Sequence, residues 1–223
     1  MIEYSNLQEL AEASRNCVCC GLCKQRTQVV PGEGDERAEI MFIGEGPGFH
    51  EDKQGRPFVG AAGQLLDGLL GTIGLTRPQV FITNVVKCRP PGNRDPMPEE
   101  VAACRSWLDQ QIRLLEPKLI VTLGRHAMGI FMPGEVISKM HGLPKRFGNY
   151  MVMPIYHPAA ALYQQSLKKT LETDFLKILD ALKAATIAAD PKPPLPSPER
   201  QQPLQKQQTP QKQEEKPNQL SMF

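Results

Sequence analysis

The chain has 223 residues, of which 40% are hydrophobic and 22% are charged, enough for one domain of moderate size with its own core. Its formal net charge is +2, and residues 191–223, with five Lys or Arg and three Asp or Glu, account for all of it. A globally cationic nucleic-acid-binding domain is therefore excluded. No signal peptide and no apolar run of membrane-spanning length is recognisable, which predicts a cytoplasmic protein without membrane contact.

Strand and helix patterns alternate along the first 190 residues. Short apolar segments typical of buried parallel strands lie at 39–44, 80–86, 118–124 and 150–155. Helical patterns lie at 6–16, 62–74, 98–116, after Gly124 and at about 167–188. Ser5 and Gln8 have the spacing of a capping box at the first helix. The pattern predicts an α/β fold, a three-layer α/β/α sandwich around a central, mostly parallel four-stranded sheet.

The composition changes after Asp190. Residues 191–223 contain eight Pro, eight Gln and a single aromatic residue at the end, so they cannot bury a core and are predicted to be disordered. The sequence therefore predicts a folded domain at 1–190 and a Pro/Gln-rich tail at 191–223.

Three of the four predicted strands end in segments with candidate catalytic or binding residues. In parallel sheets, functional residues gather where the strands end. The first is followed by GEGPGFHED (44–52), which allows close backbone approach to a flat ligand but lacks the Gly-Lys-Ser/Thr of a phosphate-binding loop. The second ends at Asn84, whose amide can donate to a carbonyl and accept from an N–H, the edge pattern of uracil or thymine. The last is followed by His157. Taken singly, each is also compatible with a tight turn, a capping amide or a partly buried histidine. The remaining histidines are predicted to be structural or surface residues: His50, His126 and His141.

The six cysteines fall into two groups. Cys17, Cys20 and Cys23 form overlapping C-x2-C pairs, whereas Cys88 and Cys104 are separated by 15 intervening residues. Inside a cell, clustered cysteines bind metal or do redox chemistry more often than they form disulfides. A structural zinc site usually uses two separate C-x2-C pairs, and neither Cys88 nor Cys104 belongs to such a pair, so an iron–sulfur cluster suits the thiols equally well or better. Cys104 could also be an ordinary core cysteine.

Five motifs follow one another along the chain: VPGEG (30–34), GEGPGFHEDKQGRPFVGAAGQLLD (44–67), ITNVVKCRPPGNRDP (82–96), VTLGRHA (121–127) and HPAA (157–160). In order and spacing they resemble the family 4 uracil-DNA glycosylases, the iron–sulfur-containing branch of the uracil-DNA glycosylase superfamily. The resemblance covers roughly residues 5–185. It implies a monofunctional DNA-repair enzyme, a bacterial, nucleoid-associated monomer that hydrolyses the N-glycosidic bond of uracil in DNA and leaves an abasic site.

The resemblance also implies roles for particular residues. Glu45, from the GEGPG motif, would act in the catalytic step, and His157 would bond O2 of uracil. Four residues would contact the base: Gly46 through its backbone, Phe58 by stacking, Asn84 at the Watson–Crick edge and Glu51 near the 5-position. The stretch at 138–148 lacks the KRRIH-like loop with which a superfamily relative binds uracil DNA covalently, so turnover is expected.

For the cofactor, the resemblance implies a 4Fe–4S cluster. Its ligands would be Cys17, Cys20, Cys88 and Cys104. Cys19 and Cys23 would be bystanders, with Cys23 able to substitute if Cys17 were lost. Two other functions stay open at this point: a non-catalytic iron–sulfur module that binds DNA or senses redox state, and a glycosylase for another deaminated base such as hypoxanthine.

The chain ends in QLSMF, formed by Gln219, Leu220, Ser221, Met222 and Phe223. Three apolar side chains on a polar tail are unusual unless a partner buries them. The pentapeptide resembles the motif with which bacterial DNA-repair and replication proteins dock on the β sliding clamp. That clamp is therefore a predicted partner.

Overall fold

The computed structural model describes residues 3–187. Its sheet contains six strands: β1 Glu33–Gly34, β2 Ile40–Gly44, β3 Phe81–Asn84, β4 Leu119–Leu123, β5 Lys145–Phe147 and β6 Tyr150–Ile155. The spatial order is β1-β3-β2-β4-β6-β5. The central four strands, β3, β2, β4 and β6, are parallel, and the two edge strands, β1 and β5, pair antiparallel. The predicted α/β fold is thus confirmed.

The predicted number of four strands is wrong, because the two edge strands were not recognised. β1 has two residues, Glu33 and Gly34, and β5 is the mainly polar Lys145–Phe147. Neither offers the apolar run by which a buried strand is recognised. Edge strands as short as these limit the pairing of further strands with the sheet.

Helices cover both faces of the sheet. In chain order they are α1 Leu7–Arg15, α2 Phe49–Gln54, α3 Ala61–Thr72, α4 Pro98–Leu115, α5 Arg125–Phe131, α6 Ile137–Met140, α7 Pro158–Tyr163, α8 Gln165–Leu176 and α9 Ile178–Ile187. Short 3-10 turns lie at Gly21–Lys24, Arg77–Gln79 and Pro91–Asn93. None of these described helices is both long and apolar enough to cross a membrane.

Side-chain alternation along the strands divides the core into two clusters. All five residues of β2 are buried, with Met41 and Ile43 in one cluster and Ile40 and Phe42 in the other. The first cluster includes side chains of α1, α4 and α5, and the second includes side chains of α3, α8 and α9. Because consecutive strand residues point to opposite faces, both faces need a helical cover, which gives the three layers.

Two helix details differ from the prediction. Asn6, not Ser5, caps α1, because its side chain accepts from the Glu9 N–H, while Ser5 donates to the Glu9 carboxylate. The single helix predicted at about 167–188 is two helices that meet at Lys177. Lys177 keeps right-handed helical dihedrals, so the amphipathic pattern continues across the break.

The division into a domain at 1–190 and a tail at 191–223 stays a prediction. The tail lies outside the described residues.

Candidate active site and cysteine cavity

A cleft of about 530 Å³ lies at the carboxyl ends of β2, β3, β4 and β6. Parallel strands bring their carboxyl ends to one edge of the sheet, which explains why motifs distant in sequence meet there. All six residues predicted to be catalytic or to contact the base line this cleft: Glu45, Gly46, Glu51, Phe58, Asn84 and His157. The structure brings them together, while their individual roles remain predictions.

Asn84 is the last residue of β3, and its side chain is buried beside the cleft. Its Oδ1 atom has no hydrogen-bond partner among the described residues. A Cβ atom at Gly44, the last residue of β2, would overlap both Asn84 Oδ1 and the Phe58 ring. The glycine therefore permits the two side chains to approach each other. A buried acceptor without a partner is expected where a ligand supplies the missing donor.

His157 lies directly before α7 and caps it. Its Nδ1 atom accepts the backbone N–H of Ala159 at 3.1 Å, so in the neutral imidazole the proton is on Nε2. Burial lowers the pKa of His157 to about 4, and the charge of Glu51 opposes this only in part. At neutral pH His157 is consequently an uncharged donor through Nε2.

Phe58 stacks on His157, with ring centroids 5.6 Å apart and an interplanar angle of 26°. Its φ of +52° lies in the left-handed region, which is rare for an aromatic residue and costs of order 1–3 kcal/mol. Arg77 supports this conformation by donating to the carbonyl oxygens of Pro57 and Phe58. The guanidinium is in turn paired with Glu33 at 2.7 Å.

Glu51 contacts the backbone directly after Phe58. Its Oε1 atom accepts the backbone N–H groups of Val59 and Gly60, each at 2.9 Å. These contacts give Glu51 a structural role in placing Phe58, which the sequence did not predict. The predicted contact with the 5-position of a base remains a prediction.

Glu45 follows β2 and is partly buried in the cleft, where it faces a residue that sequence reasoning missed. His126 Nε2 lies 3.8 Å from Glu45 Oε2 and 3.2 Å from Asp95 Oδ2. Burial raises the pKa of Glu45; His126 and Arg125 lower it and Asp95 raises it, with a net upward shift. The signal for His126 was its position just after β4, at the sheet edge where the other motifs end.

The carboxylates of Glu45 and Asp95 and the imidazole of His126 are close enough together to hold a cation. Arg125 already pairs with Asp95 and donates to His126, so positive charge is present without a metal. The geometry favours an ionic network around Glu45.

Comparison with known proteins places this geometry in a family. Residues 31–183 match the model of the uracil DNA glycosylase superfamily. The chain belongs to this superfamily. A Type-4 uracil-DNA glycosylase of Saccharolobus solfataricus is 48% identical over 195 residues, covering 83% of this chain and 90% of the relative. Type-4 enzymes of Sulfurisphaera tokodaii and Thermotoga maritima are 52% and 47% identical, over 78% and 72% of this chain and 83% and 85% of theirs. The predicted family 4 resemblance is confirmed.

In this superfamily member a second, small cavity collects the predicted cluster ligands. Cys17, Cys20, Cys88 and Cys104 all line it, and so does the exposed Cys19, whereas Cys23 is not among the lining residues. None of the six cysteines forms a disulfide within residues 3–187.

Three N–H groups point at the sulfur atoms of the cavity. The Trp107 indole donates to Cys17 Sγ at 3.3 Å, Arg26 donates to Cys88 Sγ at 3.4 Å, and the Lys87 backbone donates to Cys104 Sγ at 3.3 Å. Hydrogen bonds to sulfur are a means by which proteins stabilise and tune iron–sulfur clusters. The donor set therefore fits such a group.

The spacing and ionisation of the thiols also bear on the kind of metal site. Thiolates around one zinc ion lie about 3.8 Å apart, given Zn–S bonds of about 2.3 Å. No three cysteine sulfurs come within 4.8 Å of one another in the described part of the chain, so the thiols do not have the spacing of a single zinc site. Burial raises the pKa of Cys88, and that of Cys104 to about 11. These thiols need a bound metal to ionise near neutral pH.

Proposed function

We propose that the chain is a monofunctional uracil-DNA glycosylase, which hydrolyses the N-glycosidic bond between uracil and deoxyribose and leaves an abasic site in DNA. The observation that carries the proposal is the Oδ1 atom of Asn84, which has no hydrogen-bond partner within residues 3–187 and is buried beside the stacked rings of Phe58 and His157. The Type-4 uracil-DNA glycosylases that share 48% and 52% identity with the chain support the same activity.

Base selection follows from the edge that Asn84 presents. Its Oδ1 accepts from N3–H of uracil, and its amide nitrogen donates to O4. Cytosine has an acceptor at N3 and a donor at the 4-position, so both contacts become mismatched. A site with buried polar groups rejects such a base strongly because those groups are left unpaired.

The uracil must leave the base stack before it enters the cleft. Extrusion costs a few kcal/mol, least for a mispaired base, and stacking on Phe58 returns part of that energy. The strained backbone of Phe58 is held from both sides by Arg77 and Glu51, so the stacking surface is in place before the base arrives.

Bond cleavage leaves negative charge on uracil, centred partly on O2, and positive charge on the sugar. The Nε2–H of His157 donates to O2 and stabilises the leaving anion. Glu45 positions the attacking water, takes up its proton and offsets the charge of the sugar. The water oxygen ends on C1′ of the sugar, and the uracil anion departs with the electron pair of the broken bond.

Turnover, not covalent trapping, is expected from the segment 138–148, which spans the end of α6 and all of β5. His141 in this segment bonds the buried carboxylate of Asp174 at 2.6 Å, and it is not among the residues that line the cleft. Its imidazole is therefore engaged in a contact that stabilises the fold.

The function is tested with single-stranded and duplex oligonucleotides that carry uracil, thymine or hypoxanthine, scored for abasic sites. We expect excision of uracil, and Asn84→Asp is expected to lose about 10²-fold or more of it because the donor to O4 is removed. Asn149→Asp, the same change at an exposed turn, serves as the control. Excision of hypoxanthine in preference to uracil would identify the other deaminated-base specificity, and no excision at all would leave a non-catalytic module.

We propose that the cysteine cavity holds a 4Fe–4S cluster on Cys17, Cys20, Cys88 and Cys104. Such a group supplies rigid cross-linking of chain segments and a redox-active centre. The four residues would tie the segment after α1 to the loop after β3 and to α4.

The ligand assignment predicts different results for two sets of variants. Cys88→Ala is expected to lose bound iron and the visible absorbance of the cluster, because a buried ligand is removed. Cys19→Ala and Cys23→Ala should keep both at the wild-type level, measured as iron per chain. Loss of iron in Cys19→Ala would reassign one ligand to that residue.

The remaining proposals concern the tail and the cellular setting. Gln219, Leu220, Met222 and Phe223 lie outside the described residues, and we propose that they dock on a β sliding clamp. Deleting 219–223 is expected to abolish clamp capture and leave excision on short oligonucleotides intact; capture by the truncated chain would refute the assignment. A monomeric state and a bacterial, cytoplasmic, nucleoid-associated location also stay predictions.

A further inference from the structure

Lys87 is a buried lysine between the cleft and the cysteine cavity. It lies in the loop after β3, and only 2% of the residue is exposed. Its Nζ atom donates to Thr83 Oγ1 and to the Asn84 carbonyl oxygen at 2.7 Å each, and to Gln111 Oε1 at 2.6 Å. Three acceptors satisfy all three donors of an ammonium group, so the geometry is that of the charged form.

Within residues 3–187, burial lowers the pKa of Lys87 to about 8, Cys104 opposes this shift, and no carboxylate contributes to it. A buried cation without a counter-charge is strongly unfavourable. The groups that could supply negative charge are the cysteine sulfurs: Lys87 lines the same cavity, and its own backbone N–H donates to Cys104 Sγ. Four thiolates around an iron–sulfur core would carry a net negative charge, opposite in sign to the charge of the lysine.

The contacts of Lys87 also reach the base-recognition residue. The ammonium holds the backbone carbonyl of Asn84, the residue whose amide faces the cleft. Gln111 is fixed in turn by donating to the Pro31 carbonyl at 2.6 Å, and Thr83 donates to the same carbonyl at 2.9 Å. One buried polar network thus joins the cysteine cavity to the end of β3.

We propose that Lys87 is the counter-charge of the cluster and a positioning residue for Asn84, so that occupancy of the cysteine cavity is coupled to uracil recognition. The inference rests on the proposed function and on the proposed cluster. With the cluster bound, the ammonium is compensated and the network holds the Asn84 backbone. Without it, the buried cation is uncompensated and the end of β3 loosens.

The test is Lys87→Met in the full chain, which removes the charge and keeps much of the volume. Samples are normalised to bound iron, and two properties are measured: the reduction potential of the cluster and the single-turnover rate of uracil excision. We expect a more negative potential, since a nearby cation favours the added electron, and a rate reduced about 10- to 100-fold through misplacement of Asn84. Lys183→Met, at an exposed position of α9, should match the wild type in both.

A second variant covers the case in which Lys87→Met does not fold. Gln111→Glu places a carboxylate against the ammonium with little change of shape, and it too should make the reduction potential more negative. Wild-type reduction potentials in both variants would overturn the counter-charge role. If Lys87→Met does not fold, a wild-type potential in Gln111→Glu alone would overturn it. A shifted potential with a wild-type excision rate would overturn the coupling to Asn84.

The outcomes also distinguish this inference from the two proposals on which it rests, the glycosylase activity and the cluster. An iron-loaded wild-type chain that excises no uracil refutes the proposed activity, while the potential of Lys87→Met still tests the counter-charge. A wild-type chain that takes up no iron refutes the cluster and the role of Lys87 with it.

Discussion

Replacing Glu45 with glutamine is expected to slow the chemical step of uracil excision by about 10²- to 10⁴-fold, the range typical for loss of a positioned acid–base group. Glutamine keeps the shape of the side chain but cannot take a proton from water or offset positive charge on the sugar. The affinity for uracil DNA should change little, because Glu45 is not among the residues proposed to hold the base. Single-turnover kinetics and equilibrium DNA binding measure the two effects separately.

The pH dependence gives this variant a second signature. Burial raises the pKa of Glu45, and Asp95 acts in the same direction against His126 and Arg125. Because the base must be deprotonated, the wild-type rate is expected to fall as pH drops through a value above the usual 4.5 of this carboxyl. His157, with a pKa of about 4, would titrate only at lower pH. In Glu45→Gln this fall of the rate at low pH should disappear.

Glu172→Gln, at an exposed position of α8, is the matched control and should keep both the rate and the pH profile. If Glu45→Gln cleaves uracil DNA at nearly the wild-type rate, the catalytic assignment is wrong. His126 would then be the next candidate, because it lies in the same ionic network.

The residues that the sequence identified share a physical property. Glu45 and His157 follow short apolar strands and Asn84 ends one, and parallel strands bring such positions to one edge of the sheet whatever their distance along the chain. Strand composition and strand ends are local patterns, so this part of the cleft could be predicted. The two edge strands lack such a composition and were missed.

The residues that the sequence missed act through contacts between distant segments. Arg77 supports Phe58 by bonding carbonyl groups 19 and 20 positions earlier in the chain, and no local pattern records that contact. The left-handed backbone of Phe58 likewise follows from this support and from Glu51, since the residue type itself disfavours it. His126 had the right position in sequence, but only the packing of α5 against the sheet shows that it faces Glu45.

Cys104 illustrates a limit of a different kind. A core cysteine and a buried metal ligand both require an apolar helix stripe, so the sequence pattern is the same for the two. The surroundings of the sulfur support the ligand role, which stays a proposal: Lys87 donates a backbone N–H to it, and three other predicted ligands line the same cavity.

Replacing His157 with alanine is expected to reduce the rate of uracil excision by about 10²- to 10³-fold, as loss of one donor to a developing oxyanion does. The effect is large because the imidazole donor is already oriented before uracil binds. The Ala159 N–H occupies Nδ1, so the neutral ring can present only Nε2–H to the base. The Phe58 ring fixes the plane of the imidazole at the same time. His50→Ala, at an exposed position outside the cleft lining, is the control.

The protonation state of His157 distinguishes this mechanism from one that uses a charged acid. Burial keeps the pKa near 4, so ¹⁵N NMR of the imidazole should show the neutral Nε2–H tautomer at every pH where the enzyme is active. A neutral donor stabilises the uracil anion without transferring its proton, and it leaves the ring unchanged for the next turnover. An imidazolium at neutral pH would contradict this mechanism, because a charged acid would then stabilise the leaving base.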